Sequence, residues 1–186
     1  MHIDIDSGLL EEARKVPSPN CDERPENTNI NLLVIHAISL PAGEFGGPWI
    51  DQLFCNRLTE EDHESFRDIC TLQVSAHILI RRTGEMVQYV PFHRRAWHAG
   101  ESSFQSNERC NDFSIGIELE GCDDQAFEEI QYQQLAGLTR EIMKRYPAIT
   151  QERIAGHSDI APGRKTDPGP LFDWERFYHL LEYKQA

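Results

Sequence analysis

At 186 residues the chain has the length of one ordinary domain, and its 39% apolar residues suffice to enclose one core with a cavity at its edge. Acidic side chains number 31 against 18 basic ones, a formal charge of -13. That balance argues against a surface that gathers nucleic acid or anionic lipid by long-range attraction, so an anionic ligand must meet a local basic cluster. No apolar run approaches the roughly 20 residues that span a bilayer. Met1 to Arg14 alternates acids with short apolar pairs and lacks the basic and apolar regions of a secretory signal. The five cysteines form no C-x-x-C pair, and their odd number leaves one unpaired in any disulfide scheme, so reduced thiols are expected. The expectation is a single domain over residues 1–186, a cytoplasmic monomer with no nucleic-acid or membrane partner.

In chain order, Val16 to Asn31 carries three prolines among polar residues and predicts an extended surface approach. Leu32-Leu33-Val34-Ile35-His36 predicts a strand buried on both faces and ended by the histidine. Pro41 to Pro48 is loop chemistry, followed by a short helix with Trp49, Leu53 and Phe54. Glu60 to Asp68, acidic and weakly periodic, reads as a solvated excursion. Val74 to Ile80 and Met86 to Val90 predict a hairpin whose turn uses Gly84.

Ser114 to Glu120 alternates with period two, placing Ile115, Ile117 and Leu119 on one face and Glu118 and Glu120 on the other. Two carboxylates on a central strand are costly unless they face a site. Glu128 to Tyr146 has helical spacing of Leu135, Leu138, Ile142 and Tyr146, stopped by Pro147. A second helix follows Asp173 as N-cap, with Trp174, Phe177, Leu180 and Leu181. Between them, Gly156 to Pro170 is rich in glycine and proline yet dense in potential ligands, the character of a functional loop.

His36 alone reads as a hydrogen-bonded core histidine more readily than as a ligand; its context changes the balance. His157 and Asp167 lie 10 positions apart in a turn-rich loop that can fold them to one point. With His36 they form a two-histidine, one-carboxylate set. That is the donor composition of a catalytic Zn2+ site, which keeps its fourth position for water or substrate. The spacing is no short-range signature, so His63, His77, His93 and His98 stand as rival ligands.

Glu118 beside such a metal can take the proton of an attacking water and pass it to a leaving amine. Alternatively, Glu118 and Glu120 are the acid and base of a glycosidase. Their separation of about 6.5–7 Å suits that chemistry, but their shared direction does not. Lys165 can offer its ammonium to an oxyanion. Trp97 and His98, in Trp97-His98-Ala99-Gly100, suit a platform for a sugar ring, and Arg109 can clamp a ligand carboxylate. Arg81-Arg82 and Arg94-Arg95 read as solvated patches.

Several long motifs resemble the zinc-dependent N-acetylmuramoyl-L-alanine amidases, and in particular their cytoplasmic branch acting on 1,6-anhydro-muropeptides. They are Arg14-Lys15-Val16-Pro17-Ser18-Pro19, Leu33 to His36, Pro41 to Asp51, Val74-Ser75-Ala76-His77, Arg95 to Gly100, Arg109 to Gly121, and the Gly156 to Pro170 loop. The resemblance runs over nearly the whole chain. It implies an α/β fold with a mixed central β-sheet flanked by helices, shared with peptidoglycan recognition proteins. It also implies zinc held by His36, His157 and Asp167, with Glu118 in the acid/base role and Lys165 stabilising the oxyanion.

The implied reaction is hydrolysis of the amide between the anhydro-muramyl lactyl group and L-Ala of muropeptides. The implied setting is cell-wall recycling, which lowers the signal inducing β-lactamase in some bacteria. In the wider family the third ligand is often Cys and a Tyr assists catalysis; here Asp167 and Ala76 stand in those places, and His77 is expected to be structural. Ala37 departs from the Asn that often follows the first zinc histidine, so a substrate contact is expected to be missing. The competing reading from another class is a non-catalytic muropeptide-binding protein of the same fold.

Overall fold

The computed structural model describes residues 1–183. Its strands are β1 (Arg14–Lys15), β2 (Cys21–Asp22), β3 (Leu32–Ile38), β4 (Ile78–Ile80), β5 (Met86–Gln88), β6 (Arg95–Ala96), β7 (Ser103–Phe104), β8 (Asn107–Glu108), β9 (Ser114–Glu120) and β10 (Ile154–Gly156). Its helices are α1 (Trp49–Phe54), α2 (Glu129–Arg145), α3 (His157–Ile160) and α4 (Trp174–Glu182).

The main sheet has the order β1-β5-β4-β9-β3-β10. It is mixed: β4 and β5 form an antiparallel hairpin, and every other neighbouring pair is parallel. Both central strands are rich in β-branched and other apolar residues, as strands covered on two faces must be. β3 and β9 pair in register from Leu32 beside Ser114 to Ile38 beside Glu120.

One face of the sheet is closed by α2 and α4. Leu135, Leu138, Ile142, Phe177 and Leu181 pack there with Leu33, Ile35, Ile115, Ile117 and Leu119. Leu135 and Leu138 are fully buried, each worth roughly 1.5–3 kcal/mol relative to exposure. Asp173 caps α4 by accepting from the Arg176 amide at 2.9 Å, and the Glu128 amide donates to Gln131 Oε1 at 3.0 Å at the start of α2. The opposite face is covered by α1 with Leu58 and Phe66 over Leu79, Val87 and Tyr89. At its other end, Ala99, Cys110, Ala155 and Ile160 pack on Leu32 and Val34.

The mixed sheet, both long helices and the Asp173 cap are as the sequence predicts; the hairpin forms with shorter arms, β4 starting at Ile78 rather than Val74 and β5 ending at Gln88 rather than Val90. Other features differ. β3 continues two residues past His36, because its pairing with β9 extends to Ile38 and Glu120. The excursion around Glu60 to Asp68 is anchored by a turn at Glu64–Phe66 that drives Phe66 wholly into the core. His157 starts a short helix directly after a strand, so the ligand-rich loop is regular at its beginning. Arg81 is buried rather than solvated, paired with Glu120 at 3.1 Å and Asp51 at 3.4 Å. Arg95 is held between Asp22 and Asp112. A chain with this excess of acid supplies its arginines with partners. All five cysteines are free thiols, and no helix among the described residues is long and apolar enough to cross a membrane.

Candidate metal centre and active site

The register of β3 and β9 sets His36 beside Glu118. Because successive side chains alternate across a sheet, both project from the face opposite α2 and α4, while their neighbours Ile35 and Ile117 enter the helix-side core. Gly156 of β10 pairs with Ile35 and hands the chain to α3, whose first residue is His157. The Ser158 amide donates to the Asp167 carbonyl at 2.9 Å and folds the loop back on itself. A Cβ at Gly156 would stand 2.8 Å from Pro168 Cδ, so this close return requires glycine.

Three ligand atoms converge. His36 Nδ1 lies 3.0 Å from His157 Nδ1 and 3.0 Å from Asp167 Oδ2, and His157 Nδ1 lies 3.1 Å from the same oxygen. Two imidazole lone pairs this close are unfavourable unless a proton or a cation lies between them. Donors bound tetrahedrally to zinc stand about 3.3–3.6 Å apart, so the triangle needs to open by only a few tenths of an ångström. Two nitrogens and one carboxylate oxygen are a zinc-compatible set. Among the described residues these three form the group able to hold a metal ion, and the rival histidines stay outside it. His157 Nε2 donates to the Ala99 carbonyl at 3.2 Å, which leaves its Nδ1 lone pair free for the centre.

The electrostatics suit that role. Burial lowers His36 to about 4 against the pull of Asp167, keeping the imidazole neutral at physiological pH. Burial pushes the Asp167 carboxyl up, but the two imidazoles against it, His157 first and then His36, outweigh that and hold Asp167 well below the usual carboxylate range. Glu118 is raised well above its ordinary value, by burial first and then by the charge of Asp167, with Lys165 opposing. Its Oε2 is buried with no hydrogen-bond partner among the described residues. Lys165 itself is exposed on the loop.

Glu120, on the same face, has a different task. It accepts from Arg81 Nη1 at 3.1 Å and from the Gly46 and Arg82 amides at 2.7 and 3.1 Å. A carboxylate so fully engaged is no acid/base partner for Glu118, which removes the glycosidase pair. His77 is structural as expected: its Nδ1 accepts from the Gly116 amide at 3.0 Å and its Nε2 meets the Arg94 carbonyl at 3.1 Å.

Trp97 and Arg109 line one hollow of about 310 Å³, together with Asp22, Asn111 and Asp112. The Trp97 indole donates to Asp22 at 3.2 Å, and exposed Arg109 reaches Asp112 at 3.4 Å. His98, expected as part of the sugar platform, is turned inward instead: its Nδ1 lies 2.9 Å from His36 Nε2 and its Nε2 lies 3.1 Å from Ser114 Oγ. Ala37 packs with the helix-side core, the face away from His36. Ala76 is buried in the cluster under α1. Sequence reasoning passed over Asn111, whose Oδ1 accepts from the His98 and Ala99 amides at 3.1 and 2.8 Å.

The fold and this site define a class, and comparison with known proteins agrees. The N-acetylmuramoyl-L-alanine amidase family model matches residues 26–170, and the chain belongs to that family of hydrolases. Within it, the chain is 61% identical over 177 residues to the 1,6-anhydro-N-acetylmuramyl-L-alanine amidase AmpD of Citrobacter freundii, covering 95% of this chain and 94% of that one. The crystal structure of a selenomethionine AmpD derivative superposes with a TM-score of 0.94 at 60% identity, covering 97% of this chain and 99% of that one. The Escherichia coli amidase AmiD, solved with the substrate anhydro-N-acetylmuramic acid-L-Ala-D-γ-Glu-L-Lys, has a TM-score of 0.60 at 33% identity over 85% of this chain and 60% of its own.

Proposed function

We propose that the chain is a single-domain, monomeric, cytoplasmic amidase that hydrolyses the amide between the anhydro-N-acetylmuramyl lactyl group and L-Ala of muropeptides, within cell-wall recycling. The observation that carries this reading is the convergence of His36, His157 and Asp167 at 3.0–3.1 Å beside the unpartnered buried carboxylate of Glu118. The similarity to AmpD supplies the substrate.

In this reading His36, His157 and Asp167 hold zinc. Zinc at such a centre supplies Lewis-acid polarisation of a carbonyl and makes water a stronger nucleophile at neutral pH. Glu118 takes the proton of the attacking water and returns it to the leaving L-Ala nitrogen; it stands beside His36 with its Oε2 free of any partner among the described residues. The Lys165 ammonium stabilises the negative charge that develops on the lactyl oxygen. Trp97 and Arg109 border the hollow that receives the substrate, the indole against the sugar and the guanidinium against a stem-peptide carboxylate.

The test is incubation of the protein with anhydro-muropeptide, with and without chelator, and identification of products by mass. Free peptide and anhydro-sugar are expected, abolished by metal removal and restored by zinc. Binding without cleavage would identify a recognition protein, and chelator-resistant scission between sugars would identify a glycosidase; either refutes the proposal.

A further inference from the structure

Gly116 sits in the middle of β9, where glycine weakens a strand unless something must come close to the backbone. What comes close is His98: a Cβ built on Gly116 would lie 2.5 Å from His98 Cγ and 2.6 Å from its Nδ1. On either side along the same face of β9 are Ser114, which meets His98 Nε2 at 3.1 Å, and Glu118 of the active site. The ring seated there presents its Nδ1 to His36 Nε2 at 2.9 Å. Its backbone is pinned by Asn111.

Hydrogen-bond direction gives this seat a purpose. The Ala99 carbonyl can only accept, so it fixes His157 with the proton on Nε2 and the lone pair on Nδ1. Among the described residues, His36 meets no carbonyl that could do the same. Its Nδ1 is free for a metal only when His98 Nδ1 accepts the Nε2 proton, and His98 then carries its own proton on Nε2 and donates it to Ser114 Oγ. With the relay reversed, the proton would stand on His36 Nδ1, 3.0 Å from Asp167, where it blocks ligation.

We propose that His98 is a positioning residue for the metal centre: cradled by Ser114 and Gly116, it holds His36 in the one tautomer and ring orientation that can bind the ion. The inference rests on the zinc reading above and goes beyond it in assigning His98, Ser114 and Gly116 a shared task. Outer-shell partners of metal-bound histidines are worth about 10–100-fold in metal affinity.

The experiment measures zinc affinity by competition with a chromophoric chelator for the wild type, His98→Leu, His98→Asn and Ser114→Ala, with imidazole 15N NMR reporting the His36 tautomer. His98→Leu is expected to bind zinc about 10–100-fold more weakly. His98→Asn, whose Oδ1 can accept where Nδ1 did, is expected to recover most of that loss, which a merely space-filling role would not predict. Ser114→Ala removes the hydroxyl that meets His98 Nε2, leaves the core filled, and is expected to loosen the His98 ring and weaken zinc binding in the same direction as His98→Leu but by less. Folded His98→Leu that binds zinc as tightly as wild type, or Asn no better than Leu, overturns the proposal. Should His98→Leu fail to fold, zinc affinity and His36 15N signals both unchanged in Ser114→Ala do so. A wild type that takes up no zinc overturns the metal-centre reading itself.

Discussion

Replacing Glu118 by Gln separates catalysis from stability at one atom. The carboxylate lies on a central strand between His36 and Leu79, is 9% exposed, and its Oε2 has no partner among the described residues. A positioned general base contributes about 10²–10⁴-fold to a rate, so the variant should keep its zinc and lose turnover by that factor. The metal-stripped protein should move the other way. A buried group left unpaired costs on the order of 1–3 kcal/mol, and more when charged. For a chain of this size that corresponds to roughly 2–12 °C in melting temperature, and the amide recovers the part due to charge.

The sign of the pH dependence is fixed by the direction of the shift. The folded protein holds the Glu118 proton to a higher pH than the unfolded chain does. Between those two values the native state binds more protons, so this group's contribution to stability falls as pH rises. Glu118→Gln should therefore melt above the metal-stripped wild type near pH 8 and converge on it near pH 4. Scanning calorimetry at both pH values, with product release followed by mass, checks the pair. A variant with wild-type turnover, or a stability gain that is the same at both pH values, refutes the reasoning.

Two further outcomes follow from the charges around the site. Arg81→Met strands the buried carboxylate of Glu120, and breaking a buried pair costs about 3–5 kcal/mol; denaturant unfolding should show a loss of that order, and less than about 1 kcal/mol would mean that the Gly46 and Arg82 amides suffice. Zinc should survive mild acid, because ligands must be deprotonated, burial keeps His36 neutral down to about 4, and Asp167 is held well below its usual range. Metal content after dialysis at successively lower pH measures this, and release complete by about pH 6, where a free histidine titrates, would contradict it.

What the sequence discloses here is what local periodicity encodes. The alternation of Ser114 to Glu120 determines which side chains enter the core and which face the site, and the helical spacing of Leu135, Leu138 and Ile142 survives intact in α2. The two-residue strands β1, β2, β6, β7 and β8 are too short to carry a period, and β10 is three residues long. Their existence depends on partners far away in sequence, such as Cys21 beside Ala96. Phe66 lay in a segment too acidic to read as packed, since a single aromatic gives no pattern.

The same distinction separates His36 from His98 and Glu118 from Glu120. In each pair the residue types are identical, and only neighbours supplied by other elements assign the roles. Arg81 and two backbone amides satisfy Glu120, leaving Glu118 as the carboxylate with an open lone pair at the centre. Asp167 reaches His36 only because Gly156 lets the loop return, whereas His98 reaches its other side only because Gly116 leaves room. Two glycines on the strands that flank β3 thus set how closely side chains approach the two nitrogens of one imidazole. A mid-strand glycine two residues before a buried carboxylate is the one local sign of this arrangement, and it becomes readable once the ring it admits is known.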